Sequence, residues 1–139
     1  MKKFIPILLL VIISNGFNSC STDDNNGINV QFKKLNIVQV HVPEKFDFGS
    51  TYEIQATFVR PDGCTYFQGF DVYPTDTADR EVISVGARYE DQACTQQIIE
   101  VTESFLFKVV HNQTYTFRFY SGQDEGGNPE YIERQVPVN

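Results

Sequence analysis

Histidine, the commonest general base in enzymes, occurs only twice in the 139 residues, as His41 and His111. A hydrolase needs a nucleophile, a base and an orienting group within reach of one another. His41 lies on the polar side of an alternating segment, His111 lies in a turn, and neither belongs to a catalytic motif. The chain also lacks the Gly-Xaa-Ser-Xaa-Gly, His-Glu-Xaa-Xaa-His and phosphate-binding glycine patterns. We therefore predict a non-enzymatic protein with no catalytic residues.

Adjacent carboxylates could transfer protons or bind a cation, and such pairs occur at Asp23–Asp24 and Asp124–Glu125. Both lie in flexible polar segments, whereas acid–base catalysis requires carboxylates that are desolvated and held by rigid elements. Residues 124–128 offer oxygen ligands for Ca²⁺ but lack the alternating ligand spacing of an EF-hand loop. A solvated hairpin loop is the favoured interpretation, and we predict neither a metal site nor a cofactor.

The N-terminus has the parts of a secretory signal. Lys2 and Lys3 precede an apolar run from Phe4 to Ile13, and a short polar stretch then leads to Cys20. The run is shorter than the ~20 apolar residues that cross a bilayer comfortably. A permanent transmembrane anchor and cleavage without a lipid are the alternatives to lipid attachment.

The cysteine at the expected cleavage site resembles a bacterial lipoprotein signal, which implies acylation of Cys20 and removal of residues 1–19. Phe17 and Asn18 depart from the usual lipobox, and such relaxed boxes resemble those of Bacteroidetes lipoproteins. The acidic stretch Ser21–Asn26 resembles the export signals that send these lipoproteins to the outer face of the outer membrane. The simpler interpretation of residues 20–27 is a flexible acidic tether.

A second short resemblance concerns Asp76-Thr77-Ala78, which is similar to the O-glycosylation motif of the same phylum. The similarity implies O-glycosylation of the Thr77 hydroxyl. The surface location and the lipid anchor together predict a membrane-attached protein of the cell exterior.

Composition restricts the partners of the mature chain. Removal of residues 1–19 leaves 120 of the 139 residues, with nine basic and eighteen acidic side chains and a net charge of −9. This is one domain of ordinary size, residues 28–139. An acidic domain repels nucleic acid, so we expect no nucleic-acid partner.

Two cysteines remain besides Cys20, and an oxidising compartment makes a Cys64–Cys94 disulfide the default. It would close a loop of about thirty residues and contribute roughly 3–4 kcal/mol in the chain-entropy model. A pair of metal ligands is the alternative, but with two histidines in the chain a four-ligand zinc site has few candidates.

The mature chain alternates with period two and shows no sustained helical period. In Thr51–Val59 the apolar face holds Tyr52, Ile54, Ala56 and Phe58, which is typical of a half-buried antiparallel strand. The same pattern places Tyr115, Phe117 and Phe119 on one face, and Ile83, Val85, Ala87 and Tyr89 on another. The seven predicted strands are 38–42, 51–59, 64–73, 80–90, 96–110, 114–120 and 131–138. Turn residues between them favour an all-β, two-sheet antiparallel sandwich, with a small closed barrel as the alternative.

The stretch Val110–Phe119 resembles the penultimate strand of immunoglobulin-like and fibronectin type III domains. The resemblance implies an immunoglobulin-like sandwich in which Tyr115 forms a structural corner by hydrogen bonding to the preceding turn. The chain has no Trp, and its cysteines are placed differently from those of antibody domains.

Aromatic side chains are the best candidates for ligand contact. Phe67, Tyr73 and Tyr120 fall opposite the more apolar face of their strands, where a ring could stack on a sugar or on a peptide side chain. Burial inside the sandwich is the alternative. We therefore expect a binding or accessory module for a glycan, a peptide or an envelope protein. A structural subunit of an envelope complex, or a protease inhibitor with a loop at Pro74–Asp79, are the other hypotheses.

Overall fold

The computed structural model describes residues 27–139. The predicted signal peptide, the lipidation site Cys20 and nearly all of the acidic tether therefore lie outside the described residues. Within residues 27–139 no helix has the length and hydropathy needed to cross a membrane.

Eight strands form two sheets. They are β1 (Val30–Leu35), β2 (Ile37–His41), β3 (Thr51–Arg60), β4 (Thr65–Pro74), β5 (Asp79–Tyr89), β6 (Ile99–Lys108), β7 (Tyr115–Gln123) and β8 (Pro129–Val136). The strand that alternation does not predict is β1, because Lys33 and Lys34 interrupt its period-two pattern. The predicted all-β two-sheet sandwich is confirmed, with one more strand than expected.

The larger sheet has five strands and is centred on β5. Strand β4 pairs with β5 along one edge, while β1 and β7 share the other edge and β8 pairs with β7. The contact of Asp79–Val82 with Thr116–Phe119 is parallel, so the sheet is mixed and not purely antiparallel. The smaller sheet has the order β2-β3-β6. Only Asn36 separates β1 from β2, so the chain passes from one sheet to the other at that residue.

The core lies between the two sheets and is largely aromatic. The predicted inward residues of β3 and β7 are there, with Ile54, Phe58 and Phe117 fully buried. Phe107 packs edge-to-face on Phe117 with ring centroids 5.0 Å apart. Burial of these large rings between two sheets is the main stabilising contribution of the fold.

The simplest expectation places the more apolar row of β5 in the core, but the structure shows the reverse. The inward row of β5 is Arg80, Val82, Ser84, Gly86 and Arg88, and its more apolar row points away from the core. Gly86 fits this orientation, since a Cβ there would lie 2.9 Å from Cδ2 of the buried Leu35. Leu35 therefore packs over a bare backbone position on the inward face of β5.

The predicted disulfide is confirmed. Cys64 and Cys94 are bonded across a separation of 30 residues. Beside it, the Asp62 carboxylate accepts hydrogen bonds from the Cys64 N–H and the Thr65 hydroxyl and pairs with Arg88 Nε at 3.1 Å. Desolvation alone would raise the pKa of Asp62, but these donors together hold it below its usual value. The β3–β4 turn is thus tied to the end of β5.

Tyr115 occupies the corner position that the resemblance implies. Its side chain is fully buried, and its hydroxyl oxygen accepts hydrogen bonds from the N–H groups of Val110 (3.1 Å) and His111 (3.0 Å). The hydroxyl therefore satisfies two backbone donors of the turn that precedes β7.

Candidate binding face

The side of the five-stranded sheet that points away from the core, here called the outer face, is unusually apolar. Its centre is the β5 row Ile83, Val85, Ala87 and Tyr89, here called the apolar row. The solvent-facing side of a sheet ordinarily carries polar residues. The apolar row runs about 20 Å along β5, given the usual rise per residue. A surface of this kind needs an explanation other than packing of the sandwich core.

Two exposed rings flank the apolar row. Phe32 on β1 is 71% exposed and Tyr73 on β4 is 48% exposed, while Ile83 between them is only 8% exposed. Strands β1 and β4 lie on opposite sides of β5, so the walls they form are about 10 Å apart. Opposite Val85 the β4 wall has Gly69, which leaves space above the row. The result is a shallow groove with an aliphatic floor and aromatic walls.

Charged groups of both signs border this groove. The Tyr73 hydroxyl donates a hydrogen bond of 2.9 Å to Asp71, and the Tyr131 hydroxyl donates one of 2.9 Å to Glu81. The hydrogen bond to Asp71 raises the pKa of Tyr73 above its usual value. On the other wall the Lys34 ammonium lies 4.9 Å from the centroid of the Tyr120 ring. The groove therefore presents the Asp71 carboxylate on the β4 side and the Lys34 ammonium on the β1 side.

A second depression continues the outer face towards the disulfide. It is lined by Tyr66, Tyr89 and Gln92 and has a volume of about 330 Å³. The Tyr66 and Tyr89 rings meet edge-to-face at 5.7 Å, and the Arg60 guanidinium stacks 5.0 Å from Tyr66. Aromatic surface thus extends along most of the length of β5.

The three aromatic residues predicted to contact a ligand have different environments. Tyr73 is exposed at the groove, as expected. Tyr120 lies on the outer face but is only 7% exposed, because it packs against Tyr131 and Lys34. It can support the groove but offers little surface to a ligand.

The expectation for Phe67 is wrong. Its ring stacks on Phe58 with centroids 4.6 Å apart and packs against the core. A bulge in β4 between Phe67 and Gly69 shifts the alternation, so that Phe67 and Phe70 both face inward. Strict period-two counting places them on opposite faces, which is why the sequence prediction fails here.

Thr77 lies exposed in the β4–β5 loop, where its hydroxyl is accessible. The loop carbonyls of Asp76, Thr77 and Asp79 accept hydrogen bonds from Arg80 Nη1. Arg80 is buried with its guanidinium 5.4 Å from the Tyr115 ring, so the carbonyl dipoles and aromatic faces compensate its charge. A loop whose carbonyls are bound inward in this way is a poor match to an extended inhibitory loop.

The 124–128 loop is closed on itself. The Asp124 carboxylate accepts hydrogen bonds from the backbone N–H and side-chain amide of Asn128, at 2.8 and 3.0 Å, and these bonds lower its pKa. In the described part of the chain no three His, Cys, Asp or Glu side chains are grouped to hold a metal ion. His41 is exposed on β2, which belongs to the other sheet from the groove.

Sequence reasoning missed several residues of the outer face. Phe32, Tyr66, Tyr89 and Tyr131 are among them. A usable signal existed in β5, whose inward row contains Arg, Ser and Gly while its other row is apolar from Ile83 to Tyr89. The apolar row of β5 indicates a functional surface only once the sheet pairing is known, because the pairing shows that the other row of β5 faces the core.

Comparison with known proteins found no matching family model, no similar curated protein and no similar solved structure. The function must therefore be inferred from the surface itself.

Proposed function

We propose that this chain is a non-enzymatic, lipid-anchored binding module of the bacterial cell envelope, and that the groove on the outer face binds a glycan. The N-terminal sequence supports the location, since it resembles a Bacteroidetes-type lipoprotein signal ending at Cys20. The groove supports binding. It combines exposed rings with a fixed hydrogen-bond acceptor, the Asp71 carboxylate.

The observation that carries the proposal is the pattern of exposure across the groove. The aliphatic floor is sunken, with Ile83 only 8% exposed, whereas the rings of Phe32 and Tyr73 project. A ligand in the groove would meet ring faces and the carboxylate of Asp71 more than aliphatic surface. Ring faces stack on the C–H faces of sugars, and carboxylates accept hydrogen bonds from sugar hydroxyls.

A protein partner from the envelope is the second candidate. It is favoured by the full projection of Phe32, which is 71% exposed and would suit a pocket on another protein. The two candidates differ in what contacts the rings of Phe32 and Tyr73, which is a glycan in the first case and another protein in the second.

The test uses the purified full-length chain in detergent and three probes: a soluble cellulose derivative, a soluble mannan and a muramidase digest of peptidoglycan. Phe32→Ala and Tyr73→Ala should each weaken binding of the preferred probe by about five- to tenfold, as expected from loss of one stacking ring. The matched control is Leu106→Ala, which removes an apolar side chain that is 75% exposed on the other sheet. Calorimetry measures the affinity.

Binding that is unchanged by both groove substitutions, or reduced equally by Leu106→Ala, would contradict the assignment to the groove. Absence of binding to every probe, combined with capture of one envelope protein that is lost in Phe32→Ala, would replace the glycan by the second candidate.

A further inference from the structure

Strand β6 has a long free edge. Edge strands carry unpaired N–H and C=O groups that can pair with another chain, and proteins often interrupt such edges with bulges. Bulges lie within the edge strands β2 and β4, and in β7 beside the edge strand β8. Strand β6 pairs with β3 in continuous register over all ten residues from Ile99 to Lys108, and has no second strand partner among residues 27–139. It is therefore the longest edge without a bulge in the described sandwich, since the edge strand β1 pairs with β5 in continuous register over only six residues.

The inner face beside this edge is incompletely covered. Val101 and Phe105 point inward from β6, and both are only partly buried. The Phe105 ring lies 5.2 Å from Phe70 of β4, but β4 and β6 do not pair, so the sandwich is open between them. One more strand against β6 would cover these side chains and extend the smaller sheet to four strands.

Glu103 lies in the middle of the same inward row. It is directly opposite Ala56, which is 1% exposed in the core, and it is flanked by Val101 and Phe105. The two salt bridges of the described chain both involve Arg88, so Glu103 has no cationic partner there. A carboxylate at the inner edge of a sheet discourages pairing with a purely apolar strand and favours a strand with a cation at the matching position.

We propose that the free edge of β6 binds an extended peptide segment of a partner protein as an added strand. The segment carries Lys or Arg opposite Glu103 and apolar residues two positions to either side, opposite Val101 and Phe105. Backbone hydrogen bonds to β6 supply affinity, and the alternate side chains supply specificity. This site belongs to the smaller sheet and is independent of the groove on the outer face.

The test follows backbone amide resonances of the isotope-labelled full-length chain in detergent micelles. The probe is an acetylated peptide Thr-Val-Thr-Lys-Thr-Val-Thr, and the matched peptide has Glu in place of Lys. The Lys peptide should shift the amides of β6, and the Glu peptide should bind at least about tenfold more weakly because two carboxylates would meet.

Glu103→Lys should reverse this preference. Its matched control is Glu100→Lys, which makes the same change of charge on β6 but on the opposite face of the strand. Glu103 is exposed, so the variant is expected to fold. Phe32→Ala in the groove should leave peptide binding unchanged, which separates failure of this site from failure of the proposed function.

Three results would overturn the proposal. They are an unchanged preference in Glu103→Lys, peptide-induced shifts confined to other strands, and no shift of β6 with either peptide at about 2 mM. The alternative role of Glu103 is to prevent β6 from pairing with β6 of a second copy of this chain. In that case the Glu103→Val variant should dimerise through β6 while neither peptide binds. That outcome also overturns the proposal.

Discussion

At the scale of single residues, Tyr115 shows how one hydroxyl organises a turn. It accepts two backbone hydrogen bonds inside the core and stacks beside the buried Arg80. Without the hydroxyl, the N–H groups of Val110 and His111 would lose their partner in a half-buried turn. A buried N–H group without a partner costs more free energy than an intact hydrogen bond contributes to stability.

Tyr115→Phe should therefore lower the free energy of unfolding by about 1–3 kcal/mol, because the ring remains but the acceptor is lost. Urea unfolding followed by circular dichroism measures the change. Tyr66→Phe is the control, since Tyr66 is 45% exposed and its hydroxyl has no partner among the described residues. Equal stability of the two variants would contradict the structural role of the corner.

At the scale of elements, the orientation of β5 determines both the core and the groove. Its inward row includes Ser84, whose buried hydroxyl has no hydrogen-bond partner within the described residues. The same row includes Gly86, which leaves room for Leu35 and Thr65. With β5 in this orientation, its apolar row is left on the outer face, where Ile83 and Ala87 are nonetheless buried.

Two substitutions in the inward row of β5 should have opposite effects on the free energy of unfolding. Gly86→Ala should destabilise by about 1–3 kcal/mol, because its Cβ would meet Leu35 Cδ2 at 2.9 Å and Thr65 Cγ2 at 3.0 Å in a packed core. Ser84→Ala should be neutral or stabilising by about 1 kcal/mol, since it removes a buried unpaired hydroxyl. Urea midpoints measure both. A neutral Gly86→Ala together with a destabilising Ser84→Ala would contradict the observed orientation.

At the scale of the whole molecule, the proposed location depends on Cys20. An acyl chain at this residue would tether the sandwich to a membrane through the short acidic segment that follows. An anchored module at the outer surface would expose the groove and the β6 edge to extracellular ligands. A module on the periplasmic side would meet envelope proteins instead.

The wild-type chain, expressed in a Bacteroidetes host, should fractionate with membranes and be cleaved by protease added to intact cells. Cys20→Ala should be released or retained unprocessed, because the acylated thiol is absent. Immunoblots of cell fractions before and after protease treatment measure both. A wild-type chain that is soluble in the periplasm or protected from protease would contradict the surface location.

Much of the fold could be predicted from the sequence because the evidence for it is local. Alternation of apolar residues in β3 and β7 needs no knowledge of the partner strands. The Cys64–Cys94 pairing followed from setting Cys20 aside as the lipidation site and from an oxidising compartment. The corner role of Tyr115 was implied by the resemblance of the short stretch Val110–Phe119 to a strand of immunoglobulin-like domains. Lipidation, glycosylation at Thr77 and the nature of the ligand remain predictions.

The sequence by itself determined an all-β chain with one disulfide, an acidic surface and no recognisable catalytic motif, since composition and period-two alternation are properties of the chain alone. Only the tertiary structure decided which row of β5 faces the core, where Phe67 points and which edge stays free. These features depend on contacts between distant residues, such as Leu35 over Gly86, and on a bulge that shifts the register of β4. Because a shift of one residue moves every side chain of a strand to the other face, the groove could not be located before the strands were paired.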